Sequence, residues 1–228
     1  MNSTGFASYF QFQEVNWSNI LAATWETIWM TVLSVVIVTI LGLLLGLILY
    51  QTNGSKKWSV RLLNIIVTLF VNVFRSIPFI ILIVLLLPVT QVLVGAITGA
   101  KAAIPSLVIS AAPFYARLVQ IAFNEVDGGV LEAAQAMGAS RWQLVFKVLI
   151  PESLPALVSG ITVTAISLIG YTAMAGAIGA GGLGQLAYTD GFLSYNNAIT
   201  LCATVIIVLI VFLFQFIGDT VVKKIDKR

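Results

Sequence analysis

Long apolar runs separated by short polar corners set the plan of this chain. Residues 27–55 contain no charge, and 28–50 alone are long enough to cross a hydrocarbon core of about 30 Å as a helix. A corner of Asn53, Gly54 and Ser55 follows, with Lys56, Lys57 and Arg61 just beyond it. A second apolar stretch, 62–97, is interrupted by Arg75, Pro78 and Pro88. Further runs cover about 102–123, 154–177 and 198–217. Pro105 and Pro113 fall inside the third, where they act as kinks if neighbours satisfy the freed carbonyls.

The second stretch is ambiguous by length, because as one helix it would be roughly 54 Å long. Charge separates one crossing from two. With one crossing, Lys56, Lys57, Arg61, Arg117, Arg141, Lys147, Lys223, Lys224, Lys227 and Arg228 share the inner side, and Lys101 lies outside. With two, Arg117, Arg141, Lys147 and the basic C-terminal end all move outside, against the positive-inside rule. The pattern therefore predicts one long kinked span at 62–97. The whole is an all-α integral membrane protein of five spans, N-terminus outside and C-terminus inside. It reads as one domain over 1–228, with a cytoplasmic loop at 124–151.

Composition agrees: 59% of residues are apolar, 9% are charged and mean hydropathy is +1.03. A soluble domain carries about 25% charged residues. The net charge of +3 sits mostly in loops and reports orientation rather than an affinity for nucleic acid. With no histidine and a single cysteine, Cys202, the chain offers no internal disulfide, Ser-His-Asp triad or Cys/His metal cluster. Residues 1–19 lack the basic start of a signal peptide.

The most polar internal segment is the loop. Glu132, Ala133 and Ala134 open a helix-forming run that includes Met137, and Gly138 stands where a left-handed terminator is wanted. Ser140 and Gln143 follow at capping-box spacing and start a second helix, carrying Arg141 and Lys147, that is expected to stop near Pro151. Such a hairpin is either an amphipathic surface element or a docking piece. Its residues resemble the EAA loop of bacterial ABC-importer permeases, whose pattern is EAA, three residues, Gly, nine residues, Ile, any, Leu, Pro. Glu132, Ala133, Ala134, Gly138 and Pro151 keep that spacing, while Val148 and Ile150 replace the Ile and Leu.

Three further features carry candidate chemistry. Gly160, Thr164, Ser167, Tyr171 and Met174 recur at spacings of 4, 3, 4 and 3 in the fourth span, on one helix face. This stripe is either a packing seam of small residues or a translocation path with Tyr171 and Met174 as its narrow outer gate. The run from Gly179 to Gly184 fits G-x-G-x-x-G, but a span precedes it instead of a strand, so it predicts a tight turn close to other backbones and no nucleotide site. No Walker-type phosphate loop occurs. Arg75 lies at possible membrane depth beside Ser76, Ile77 and Pro78, where a structural role outweighs substrate contact. Trp17, Trp25, Trp29 and Trp58 sit near span ends, as an interfacial belt would.

The likeness extends to the segments at 75–79, 111–117 and 170–184, which are similar to permeases of methionine importers. That resemblance implies a type I ABC-importer permease fold, a homodimer, two cytoplasmic ABC ATPase subunits and an external substrate-binding lipoprotein in a bacterial plasma or inner membrane. It implies alternating access, with Glu132, Ala133, Ala134, Met137, Gly138 and Pro151 seated on the ATPase. ATP and Mg would then be bound by the ATPase, and this chain would hold no cofactor. An importer of the same build for another amino acid, a short peptide or a quaternary amine stands as the alternative. A channel or secondary carrier is disfavoured, since spans three to five carry no carboxylate at depth.

Overall fold

Asn16 starts the first helix by accepting the backbone N–H groups of Ser18 and Asn19 at 3.0 and 3.3 Å. Helix α1 then runs over Trp17–Thr52. The computed structural model describes residues 6–226, so Lys227 and Arg228 lie outside the described residues. It is helical throughout: α2 (Trp58–Ser76), α3 (Phe79–Leu85), α4 (Leu87–Val94), α5 (Ala100–Asn124), α6 (Gly128–Ala136), α7 (Arg141–Gln143), α8 (Ile150–Gly176), α9 (Gly182–Gln185) and α10 (Asn197–Ile225). A π-helical segment, Leu144–Leu149, joins α7 to α8, and another, Leu186–Leu193, follows α9. Among the described residues, five helical stretches are long and apolar enough to cross a membrane.

Helix α5 forms the centre, touching α1, α2, α3, α4 and α8. Its closest partner is α1, and the reason is a pair of glycines. A Cβ at Gly42 would lie 2.6 Å from Tyr115 Cδ1, and one at Gly46 would lie 2.7 Å from the Ala116 carbonyl oxygen. Lipid tails are as apolar as leucine, so membrane helices hold together by close packing of this kind. Tyr115, Val119 and Phe123 fill the resulting seam and are buried. Tyr115 also donates its hydroxyl to the Leu157 carbonyl at 3.3 Å, which ties α5 to α8. Pro105 and Pro113 both sit inside α5 without ending it.

The stretch 62–97 departs from the expected single kinked helix. It is three helices, broken first at Ile77, which is extended (φ −80°, ψ 123°) before Pro78. Proline disfavours helical backbone in the residue before it and supplies no N–H, so Ile77 is where the helix gives way. Helix α4 ends on Gly95 in the left-handed region at φ +78°. The three helices nonetheless pass along α5 in one direction. Val71 packs on Ala116, Arg75 lies over the Phe114 ring, and Thr90 shares a small cavity with Ala102 and Ala103.

Two other boundaries move for identifiable reasons. Helix α1 begins ten residues before the uncharged run because Glu26 is inside it rather than at its edge. The helix after the hairpin does not stop at Pro151. There Ile150 donates to the Val145 carbonyl across a π turn, and Pro151 occupies the opening turn of α8. A wide turn leaves room for the proline ring, whose missing N–H is tolerated at a helix start.

Candidate functional site

The hairpin is built from local rules. Asp127 caps α6 by accepting the Gly129 N–H at 2.6 Å, so the helix opens four residues before Glu132. It closes in a Schellman pattern: Gly138 N–H to Gln135 O at 2.9 Å and Ala139 N–H to Ala134 O at 3.1 Å. Gly138 itself sits at φ +83°. Ser140 and Gln143 form the reciprocal capping box that opens α7, with bonds of 3.4 and 2.8 Å.

This frame divides the loop residues into two sets. Ala134 is buried against the π-helical segment that follows α7. Glu132, Ala133 and Met137 are exposed, Met137 by 83%. Trp142 and Phe146, also exposed, stack at 5.7 Å with planes 14° apart. An apolar methionine and a stacked aromatic pair standing free on a rigid hairpin form a knob suited to a partner's groove. Pro151 lies apart from this knob, at the root of α8.

The stripe on α8 is not one surface. Gly160 and Thr164 face inward: Thr164 is 1% exposed and donates to the Gly160 carbonyl at 2.7 Å. A Cβ at Gly160 would stand 3.3 Å from Tyr115 Cε2. Tyr171 is half-buried and stacks on Phe79 of α3 at 4.7 Å, 10° from parallel. Met174 is 49% exposed, Ser167 is half-buried, and Val163 and Gly170 are exposed beside them. The accessible strip is therefore Val163, Ser167, Gly170 and Met174, turned by about half a residue step from the stripe read along the sequence. Arg75 is exposed on α2 with its guanidinium 5.9 Å from the Phe114 ring centroid, a cation–π contact.

The glycine run forms the tight turn expected. Gly179, Gly181 and Gly182 all have positive φ. The turn is clamped to α1: Gly182 N–H donates to Glu26 Oε2 at 2.8 Å and Leu183 N–H to Thr27 Oγ1 at 2.9 Å. A second tie runs from Gly99 N–H to the Gly179 carbonyl at 2.8 Å. Nothing in the sequence marks Glu26 for this clamp, since there it stands only at the edge of an apolar run. The exposed Trp142–Phe146 pair does carry a sequence signal, since aromatics at i, i+4 share one helix face. Trp29, expected in an interfacial belt, instead packs against the core, whereas Trp17, Trp25 and Trp58 are exposed.

Five helices long and apolar enough to cross a membrane, with a capped hairpin between two of them, define a polytopic membrane protein. Residues 42–228 match the family described as binding-protein-dependent transport system inner membrane component, and the chain belongs to that family. It is 59% identical over 217 residues to the methionine import system permease protein MetP of Bacillus subtilis, covering 95% of this chain and 98% of that one. It is 42% identical to the probable D-methionine transport system permease protein MetI of Haemophilus influenzae, covering 93% and 100%. A chain of the inward-facing MetNI methionine ABC transporter superposes with a TM-score of 0.89 at 44% identity, covering 92% of this chain and 98% of that chain.

Proposed function

We propose that this chain is the membrane-spanning subunit of an ATP-driven methionine importer, acting as a homodimer by alternating access. The observation that carries this reading is the exposed hairpin knob on a fold shared almost end to end with methionine permeases. ATP and Mg bind to two separate ATPase subunits, which receive Ala133, Met137 and the Trp142–Phe146 pair in a groove. An external binding protein delivers the solute to the end of the bundle that carries Gly99 and the Gly179–Gly182 turn. The N-terminus is outside and the C-terminus inside.

Cysteine labelling tests the orientation. A cysteine at Asn196 should react with an impermeant reagent in intact cells, and cysteines at Lys57 and Gln143 only after the membrane is opened. Labelling of the Gln143 position in intact cells would overturn the orientation and the docking role together.

The accessible strip of α8 lines the route between the two copies, with Met174 nearest the outside. Its thioether closes a narrow opening by apolar contact and changes rotamer at little cost. Tyr171, held by Phe79, gives the gate a rigid wall. Met174→Ala should keep the dimer but leak solute without ATP. A packing seam predicts the reverse, a weakened dimer with tight transport, because truncating a buried side chain costs about 2–5 kcal/mol. Leak assays and dimer yield on the same purified variant separate the two.

A further inference from the structure

A cavity lined by cations lies away from the α8 strip. It has a volume of 630 Å³ and opens where the α1–α2 corner meets α6 and α7. Lys56, Lys57 and Arg141 line it, and no carboxylate does. Among the described residues none of these three cations is ion-paired. Its walls combine amide and hydroxyl groups (Gln51, Asn53, Ser55, Gln135) with apolar side chains that include Val60, Leu144 and Leu149.

A second observation points to the same kind of ligand. Lys57 and Val60, which bracket the first turn of α2, both line the cavity. That helix is 19 residues long, has no acidic residue in its first turn and receives no side-chain cap from Lys57. Its leading N–H groups therefore add their positive field to the three cations, an arrangement that favours an anion. Lysines supply point charge, and Arg141 supplies a fork that matches phosphate oxygens.

Depth decides which phosphate. The apolar helix α1 ends at Thr52 and α2 begins at Trp58, which is 74% exposed. Exposed tryptophan at a span end marks the headgroup level of a bilayer. We infer that this cleft binds the headgroup of an anionic phospholipid. The phosphodiester sits between Lys56, Lys57 and Arg141, and the glycerol backbone lies on the apolar wall. Because Gln135 and Arg141 belong to the hairpin, the bound lipid braces the docking element against the membrane face of α1 and α2. This site is independent of which solute is carried.

The test uses the permease rebuilt in nanodiscs of equal phosphatidylglycerol and phosphatidylcholine, with retained lipid counted by native mass spectrometry after extraction. The native chain should retain phosphatidylglycerol preferentially. The triple variant Lys56→Gln, Lys57→Gln, Arg141→Gln should lower that preference roughly a hundredfold, about fivefold per cation. Lys56→Arg with Lys57→Arg should keep it, which guards against a folding artefact. Lys223→Gln with Lys224→Gln, cations at the end of α10 and outside the cleft, should leave the preference unchanged. Equal loss per charge removed in the two neutralised variants would reduce the effect to general surface attraction and overturn the site. Displacement of the lipid by millimolar inorganic phosphate would make it a free-ion site instead. A triple variant that keeps its lipid but sheds its ATPase would assign the cleft to an acidic partner segment, also overturning the proposal.

Discussion

Gly138→Val and Ala133→Arg should each abolish solute-stimulated ATP hydrolysis while leaving the permease inserted and folded. The two act by different routes. Gly138 holds φ +83°, where a β-branched side chain costs on the order of 1 kcal/mol or more. The Schellman closure would open, and the angle between α6 and α7 with it. Ala133 keeps its backbone but becomes a long cation on an exposed face, the one proposed to seat in the ATPase groove. Both should lower stimulated hydrolysis by more than about tenfold, in line with losing the anchor of a small interface. Gly138→Asn provides the check on cause, since asparagine tolerates left-handed backbone and should keep coupling. Stimulated hydrolysis at native rate in both damaging variants would place the ATPase contact elsewhere.

The second large effect falls in the membrane. Gly46→Leu should lower the unfolding temperature in detergent by roughly 10 °C, on the estimate of about 3 kcal/mol for overpacking and 2–4 °C per kcal/mol at this chain length. The cost is high because the added carbon meets Val119 at 2.5 Å and the Ala116 carbonyl at 2.7 Å. The carbonyl cannot rotate away, so α1 and α5 must separate along the seam holding Tyr115 and Phe123. Gly128→Ala is the control, since a Cβ there meets nothing within 4 Å and the residue is exposed. Unfolding of Gly46→Leu at the native temperature would mean that the two helices are not in this contact.

Features that depend on a few adjacent residues were legible without coordinates. The hairpin is the clearest case: a left-handed stop at Gly138 and a capping box at Ser140 and Gln143 follow from residue types at fixed spacings, and both are present. The helical membrane architecture was equally readable, because apolar length alone requires it. Features set by contact between distant segments were not. Nothing near Glu26 in the chain says that it accepts the Gly182 N–H, 156 positions away. The break at Ile77 carried a local signal in Pro78, but the single span was chosen on the side each cation falls, which fixes the number of crossings and not whether the stretch is one helix or several. The α8 stripe shows the limit of periodicity. Spacing grouped Thr164 with Met174, yet the side on which α5 packs, which spacing does not encode, turns one inward and leaves the other accessible.

Passage of an amino acid through this subunit, driven by ATP bound on another chain, is open to direct assay. The direct measurement is uptake of radiolabelled methionine into proteoliposomes containing the chain with its ATPase and binding protein, with ATP enclosed or added on the hairpin side. Uptake should require ATP, require both partners and be lost in Gly138→Val. Methionine entry through the chain alone, at the same rate without ATP or the ATPase, would contradict it and identify a channel or carrier instead.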